Sequence, residues 1–79
     1  MTPAQEKQLN TALMHAKAAN ENAQIACLPA IYAAELGRNV DAGGLTYWTV
    51  EIRNGMSIDE VRTHIAALPE AKRYRESLA

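Results

Sequence analysis

IYAAELGRNVDAGGLTYW, residues 31–48, is the stretch that decides the fold. It runs from an apolar helix end through a glycine-bearing turn to the only tryptophan of the chain. Gly37 after such a helix end predicts a left-handed stop, because glycine adopts positive φ without a β-carbon penalty. Arg38, Asn39 and Val40 then cross to Asp41, whose carboxylate is placed to cap a third helix over about residues 42–54. On that helix Leu45, Trp48 and Ile52 recur at steps of three and four, so they share a face. Gly43 and Gly44 fall in its first turn, where glycine is a poor helix former. The pair predicts that a ring or backbone, from the end of the preceding helix, packs there too closely for a β-carbon. With only four aromatic side chains available, Tyr32, Tyr47, Trp48 and Tyr74, this segment is the expected nucleus of the core.

Toward the N-terminus, Pro29 opens the helix that ends at Leu36 and interrupts the one before it. The earlier helix starts at a Thr2-Pro3-Ala4-Gln5 capping box and runs unbroken to about residue 26. At coiled-coil spacing, Glu6, Leu9, Leu13, Ala16, Asn20, Ala23 and Cys27 alternate steps of three and four, and Ala12, Ala19 and Ala26 lie beside them. Two arrangements suit this narrow stripe. The helix lies across its own domain with Asn20 near an edge, or it pairs with copies of itself and Asn20 sets the register at a cost in stability. Toward the C-terminus, Gly55 ends the third helix and Ser57-Ile58-Asp59-Glu60 is a capping box for a fourth, on which Ile58, Val61, Ile65 and Leu68 share a face. Pro69 opens a fifth over about residues 69–78, with Ala71, Tyr74 and Leu78 turned inward. The expected architecture is all-α: a compact bundle of four short helices, residues 28–79, preceded by one longer helix, residues 1–27, that is a candidate oligomerisation segment.

Composition bounds the function. Fifteen of the 79 residues are alanine, which favours helix but fills little volume, so the core is small and a helix surface from another copy would supplement it. A formal net charge of −1 gives no drive toward nucleic acid or anionic lipid. Arg62, Lys72, Arg73 and Arg75 alternate with Glu60, Glu70 and Glu76, the pattern of a solvated face laced with ion pairs. The first residues do not read as a secretory signal and no segment is apolar enough to span a bilayer, so a cytoplasmic product, or one carried from there into a particle, is expected. The single Cys27 reads as a small buried hydrophobe. Asn39, Asp41, Gly43 and Gly44 imitate the opening of an EF-hand loop, but the twelfth position is Val50, which offers no carboxylate; no metal or other cofactor is expected. His15 and His64 are far apart, with no nucleophile or carboxylate in a triad-like context, so no catalytic residue is assigned and an enzyme is not expected. Arg38 reads as a clamp on the turn, bonding carbonyls and a carboxylate such as Glu35 or Glu51. Tyr47 and Trp48 must diverge on a helix, with Trp48 in the core and Tyr47 half-exposed and available to a partner.

The order Ile31-Tyr32, Leu36-Gly37-Arg38, Asp41, Gly44-Leu45, Tyr47-Trp48, Gly55-Met56-Ser57 and Leu68-Pro69-Glu70 resembles the signature of a bacterial and phage family catalogued as a domain of unknown function. The resemblance implies a small helical module of the kind found in surface and secreted proteins, beside calcium-binding repeats, and in phage tail proteins. It implies a non-catalytic assembly or attachment role. Without flanking repeats, the expected product is a short phage protein of the virion tail, or of the host cytoplasm during infection. Its expected partners are itself and other virion proteins, through Leu9, Leu13, Ala16, Asn20, Ala23 and Tyr47, with no nucleic acid and no membrane insertion. The alternative is a phage-encoded inhibitor or adaptor that binds a host protein.

Overall fold

A computed structural model of the chain describes residues 2–79. It is all-α, with α1 (Pro3–Ile25), α2 (Leu28–Leu36), α3 (Ala42–Arg53), α4 (Ile58–Ala66) and α5 (Pro69–Ser77), and no strand among the described residues. The helix starts follow the capping chemistry. Thr2 and Gln5 form a reciprocal box, the Gln5 N–H donating to Thr2 Oγ1 at 3.3 Å and the Thr2 N–H to Gln5 Oε1 at 2.9 Å. Ser57 Oγ accepts from the Glu60 N–H at 3.1 Å, but the Glu60 carboxylate accepts from the Ser57 hydroxyl and not from its backbone, so only half of that box forms.

The core is built around α2, which packs against α4 and α5. Leu28, Ile31, Tyr32 and Leu36 of α2 are buried with Trp48 and Ile52 of α3, Val61 and Ile65 of α4, and Ala71 of α5. Leu28, Val61, Ile65 and Ala71 have no exposed surface at all, and Ala71 is the small residue that lets α5 come close. Two glycines set the helix positions. Gly37 closes α2 at φ 65° and ψ 25°, and the Tyr74 ring of α5 lies so near that a β-carbon there would collide with it. Gly44 is the close approach predicted for the third helix: its missing side chain leaves room for Tyr32 Oη, which a β-carbon would overlap. Tyr32 Oη in turn accepts the Trp48 Nε1–H at 3.1 Å, so both polar atoms of this buried pair are satisfied.

Five expectations about packing are corrected. Gly43 has no close neighbour, since a β-carbon there would meet only Asp41 Oδ2 at an ordinary 3.5 Å. Leu45 and Leu68 stay exposed, the first a turn before α3 reaches the core and the second at the N-cap of α5. Leu78 is 68 % exposed because α5 ends at Ser77, past the last residue it can bury. Cys27 is exposed, since it sits at the bend between α1 and α2 with its Sγ turned back toward the Ala23 carbonyl at 3.4 Å.

α1 differs from the rest: none of its residues is buried. Twenty-three residues at ~1.5 Å rise make a rod of roughly 35 Å, and the molecule measures 62 × 19 × 15 Å. Its radius of gyration is 16.9 Å, against about 12 Å for a compact chain of this length. The excess is the arm.

The two adjacent glycines should behave oppositely. Gly44→Ala is expected to cost about 1–3 kcal/mol by driving Tyr32 off Trp48, whereas Gly43→Ala should gain a few tenths to ~1 kcal/mol from helix propensity. Urea unfolding of both variants checks this.

Candidate functional site

Residues 2–20 are exposed without exception. Within them Leu9 and Leu13 keep 48 % and 60 % of their surface in solvent, and Ala16 and Asn20 continue the same face. Ala23 prolongs that face and is also exposed. Lys17 and Asn20 border a groove shared with Ile52, Gly55 and Met56, and bonded contact with the domain begins at Glu21. The Arg53 guanidinium of α3 donates to Glu21 Oε2 at 3.3 Å and to Asn22 Oδ1 at 3.4 Å, and Ile25 packs against the core. At ~100° per residue, the docked positions Glu21, Gln24, Ile25 and Leu28 lie roughly 100° around α1 from the Leu9–Leu13 face. The domain therefore holds the arm by its base and leaves the apolar face open. Tyr47, the remaining residue expected to meet a partner, is on a different helix. It is 58 % exposed on the outer side of α3, edge-on to Trp48 at a centroid distance of 4.8 Å, with exposed Val50 one turn on.

The turn residues converge on Arg38. Its Nε donates to Glu70 Oε2 at 2.6 Å and its Nη2 to Glu70 Oε1 at 3.0 Å, a two-point grip on the first turn of α5. Its Nη1 donates to Asp41 Oδ1 at 3.3 Å and to the Asn39 carbonyl at 3.2 Å, and the guanidinium lies 5.2 Å from the Tyr32 ring centre. Arg38 is a clamp as expected, but its carboxylate partners are Glu70 and Asp41. Glu35 instead pairs with Arg62 at 3.2 Å, and no bond links Arg38 to Glu51. Asp41 stands at the N-cap of α3 with extended backbone, yet its carboxylate makes no aligned capping bond because it is drawn toward Arg38.

These contacts shift titrations. Hydrogen bonds from Arg38 hold the Glu70 carboxyl below the usual glutamate range. The Asp41 carboxyl is held low first by its own backbone N–H and next by Arg38. The Arg38 guanidinium is raised further by Glu70. Each partner of the Arg38–Glu70 pair is about two-fifths exposed, so solvent screens it and it orients the turn more than it stabilises the fold.

Other chemistry is sparse. Among the described residues no three His, Cys, Asp or Glu side chains gather where they could hold a metal ion, and no helix is long and apolar enough to cross a membrane. His64 is exposed beside the Trp48 ring, their centroids 6.2 Å apart, and His15 is exposed on the arm. Three of the four basic C-terminal residues are engaged: Arg62 pairs with Glu35, Lys72 lies 4.0 Å from Glu76, and Arg75 Nη1 caps the Ala66 carbonyl at the end of α4 at 3.1 Å. No family profile, curated protein or solved structure matches the chain.

Sequence reading did not find the Arg53–Glu21 anchor or the Arg38–Glu70 grip. Each joins residues 32 apart, and no local periodicity signals such a pair.

Two outcomes follow from this geometry. Cys27 should react stoichiometrically with Ellman's reagent in the native state, without denaturant. Because the folded Glu70 and Asp41 values are depressed, their stabilisation is complete above the ordinary carboxylate range near ~4 and is lost as pH falls through the lower folded values. Urea midpoints should therefore drop on acidification, and Glu70→Gln should start lower at neutral pH and fall less steeply, converging with wild type once the carboxylates are protonated.

Proposed function

We propose that the protein is a non-enzymatic assembly module, a small phage virion component of the tail, that self-associates through α1. The observation that carries this reading is the arm itself: a helix with no buried residue, whose residues up to Asn20 are all exposed, and which presents Leu9 and Leu13 to solvent on one face. Most of a helix's stability in a protein comes from packing an apolar face, which the free part of α1 lacks within its own chain. Pairing with a second arm removes the exposed leucines from water and supplies the packing that the domain withholds. The tail assignment rests on the family resemblance carried by the turn residues, whose glycines and Arg38 serve in this fold to hold α2, α3 and α5 together. The function is then mechanical, with a rigid domain carried on a connecting rod.

A second reading, an adaptor or inhibitor that grips a host protein, is supported by exposed Tyr47 and Val50 on the outer side of α3. In that patch the Tyr47 ring leans edge-on against Trp48.

Sedimentation velocity over a concentration series tests the self-association. The full chain is expected to pass from monomer to dimer as concentration rises toward ~100 µM, and the double variant Leu9→Ala, Leu13→Ala should stay monomeric with the core fold intact by near-ultraviolet circular dichroism at Trp48. A wild-type chain that remains monomeric throughout overturns the assembly reading.

A further inference from the structure

The partner and its direction can be taken further than self-association, on which this inference rests. We infer that two copies pair antiparallel along the free part of α1, residues 2–20, in the register that sets Leu9 against the partner's Leu13. The same register places Thr2 opposite the partner's Asn20 and Glu6 opposite the partner's Ala16.

Three features of the chain select this arrangement. The first is length. The paired segment coincides with the stretch in which every residue is exposed, residues 2–20, and stops where Glu21 and Asn22 are taken by Arg53. Sliding the partner one heptad toward Cys27 runs its N-terminus alongside the bend into α2, and sliding it the other way leaves the leucines without each other. The second is the leucine pattern, because this register gathers both leucines of both copies in two adjacent layers at the middle of the rod.

The third is charge. On the helix wheel Glu6 and Lys17 lie on the same flank of the seam, and antiparallel pairing brings like flanks together, so Glu6 meets the partner's Lys17 at both ends. Parallel pairing instead stacks Glu6 on the partner's Glu6 and buries Asn20 on Asn20. Neither group is committed by a tight ion pair, and Lys17 borders the groove between α1 and the turn after α3. Glu6 has no ion pair among the described residues, and Lys17 reaches only Glu21, at 3.8 Å, with 73 % of its side chain exposed, while Glu21 is held by Arg53 at 3.3 Å. On the opposite flank Ala12 faces the partner's Ala12, where a methyl group permits close approach. The product is a two-ended rod with one domain at each end, so that Tyr47 and Val50 are presented twice, pointing away from the joint.

Disulfide trapping in the full chain tests the direction. In the Cys27→Ser background, Ala12→Cys should give a covalent dimer under mild oxidation, whereas the two native Cys27 thiols, roughly 48 Å apart along the rod at ~1.5 Å per residue, should not cross-link. Glu6→Lys and Lys17→Glu should each weaken the dimer about tenfold in sedimentation, and the double exchange should restore it. Cross-linking of Cys27 without cross-linking at position 12, in a chain that still dimerises, would overturn the antiparallel arrangement and leave self-association standing. A strictly monomeric chain would overturn both.

Discussion

The structure depends on one contact, Tyr32 lying across Gly44 to meet Trp48. Tyr32 belongs to α2 and Trp48 to α3, and their polar atoms bond at 3.1 Å within an otherwise apolar core. A buried hydroxyl or indole N–H without a partner is costly, so each ring makes the position of the other favourable only at this helix spacing. Gly44 makes that spacing attainable by removing the β-carbon that would stand between them. Arg38 then rests against the outer side of the Tyr32 ring while gripping Glu70 and Asp41, so the tyrosine is tied to the start of α3 and the start of α5 together. The interhelical geometry of most of the domain follows from a ring, a missing methyl group and a guanidinium.

From that arrangement comes a division of labour. The domain satisfies itself: its nine buried residues are drawn from α2 to α5, and none of its buried side-chain polar atoms lacks a partner among the described residues. α1 contributes no buried residue and is fastened at its base, where Arg53 holds Glu21 and Ile25 packs against the core. Alanine-rich composition makes sense in this light. In the arm it supports helix without needing a core, and at Ala71 it allows close packing where the core is thin. An arm without packing of its own, next to a domain that packs on itself, is the physical basis for the proposed connector role.

Helix boundaries were largely legible from the sequence because the signals are local: Thr2 with Gln5, Pro29, Gly37, Gly55, Ser57 and Pro69 each act within a few residues. The close approach at Gly44 was legible too, since a glycine in a first turn demands a reason. Gly43 showed the limit of that argument, as two adjacent glycines look alike in sequence and only one has a ring above it. Cys27 and Leu78 were misplaced because burial depends on where neighbouring helices end, which periodicity does not report. The partners of Arg38 were misassigned for the same reason, since nearby Glu35 is claimed by Arg62 while distant Glu70 is delivered by the fold. Of the candidate assembly residues, spacing identified the face on α1, but not that the domain would leave it open.

Amide hydrogen exchange on the full chain at several protein concentrations tests most directly whether the arm owes its order to a second copy. The account predicts that protection of the backbone N–H groups between residues 7 and 20 rises with concentration, while protection in α2 to α5 stays constant. Protection of the arm that is equally strong at every concentration, or absent at all of them, would contradict it.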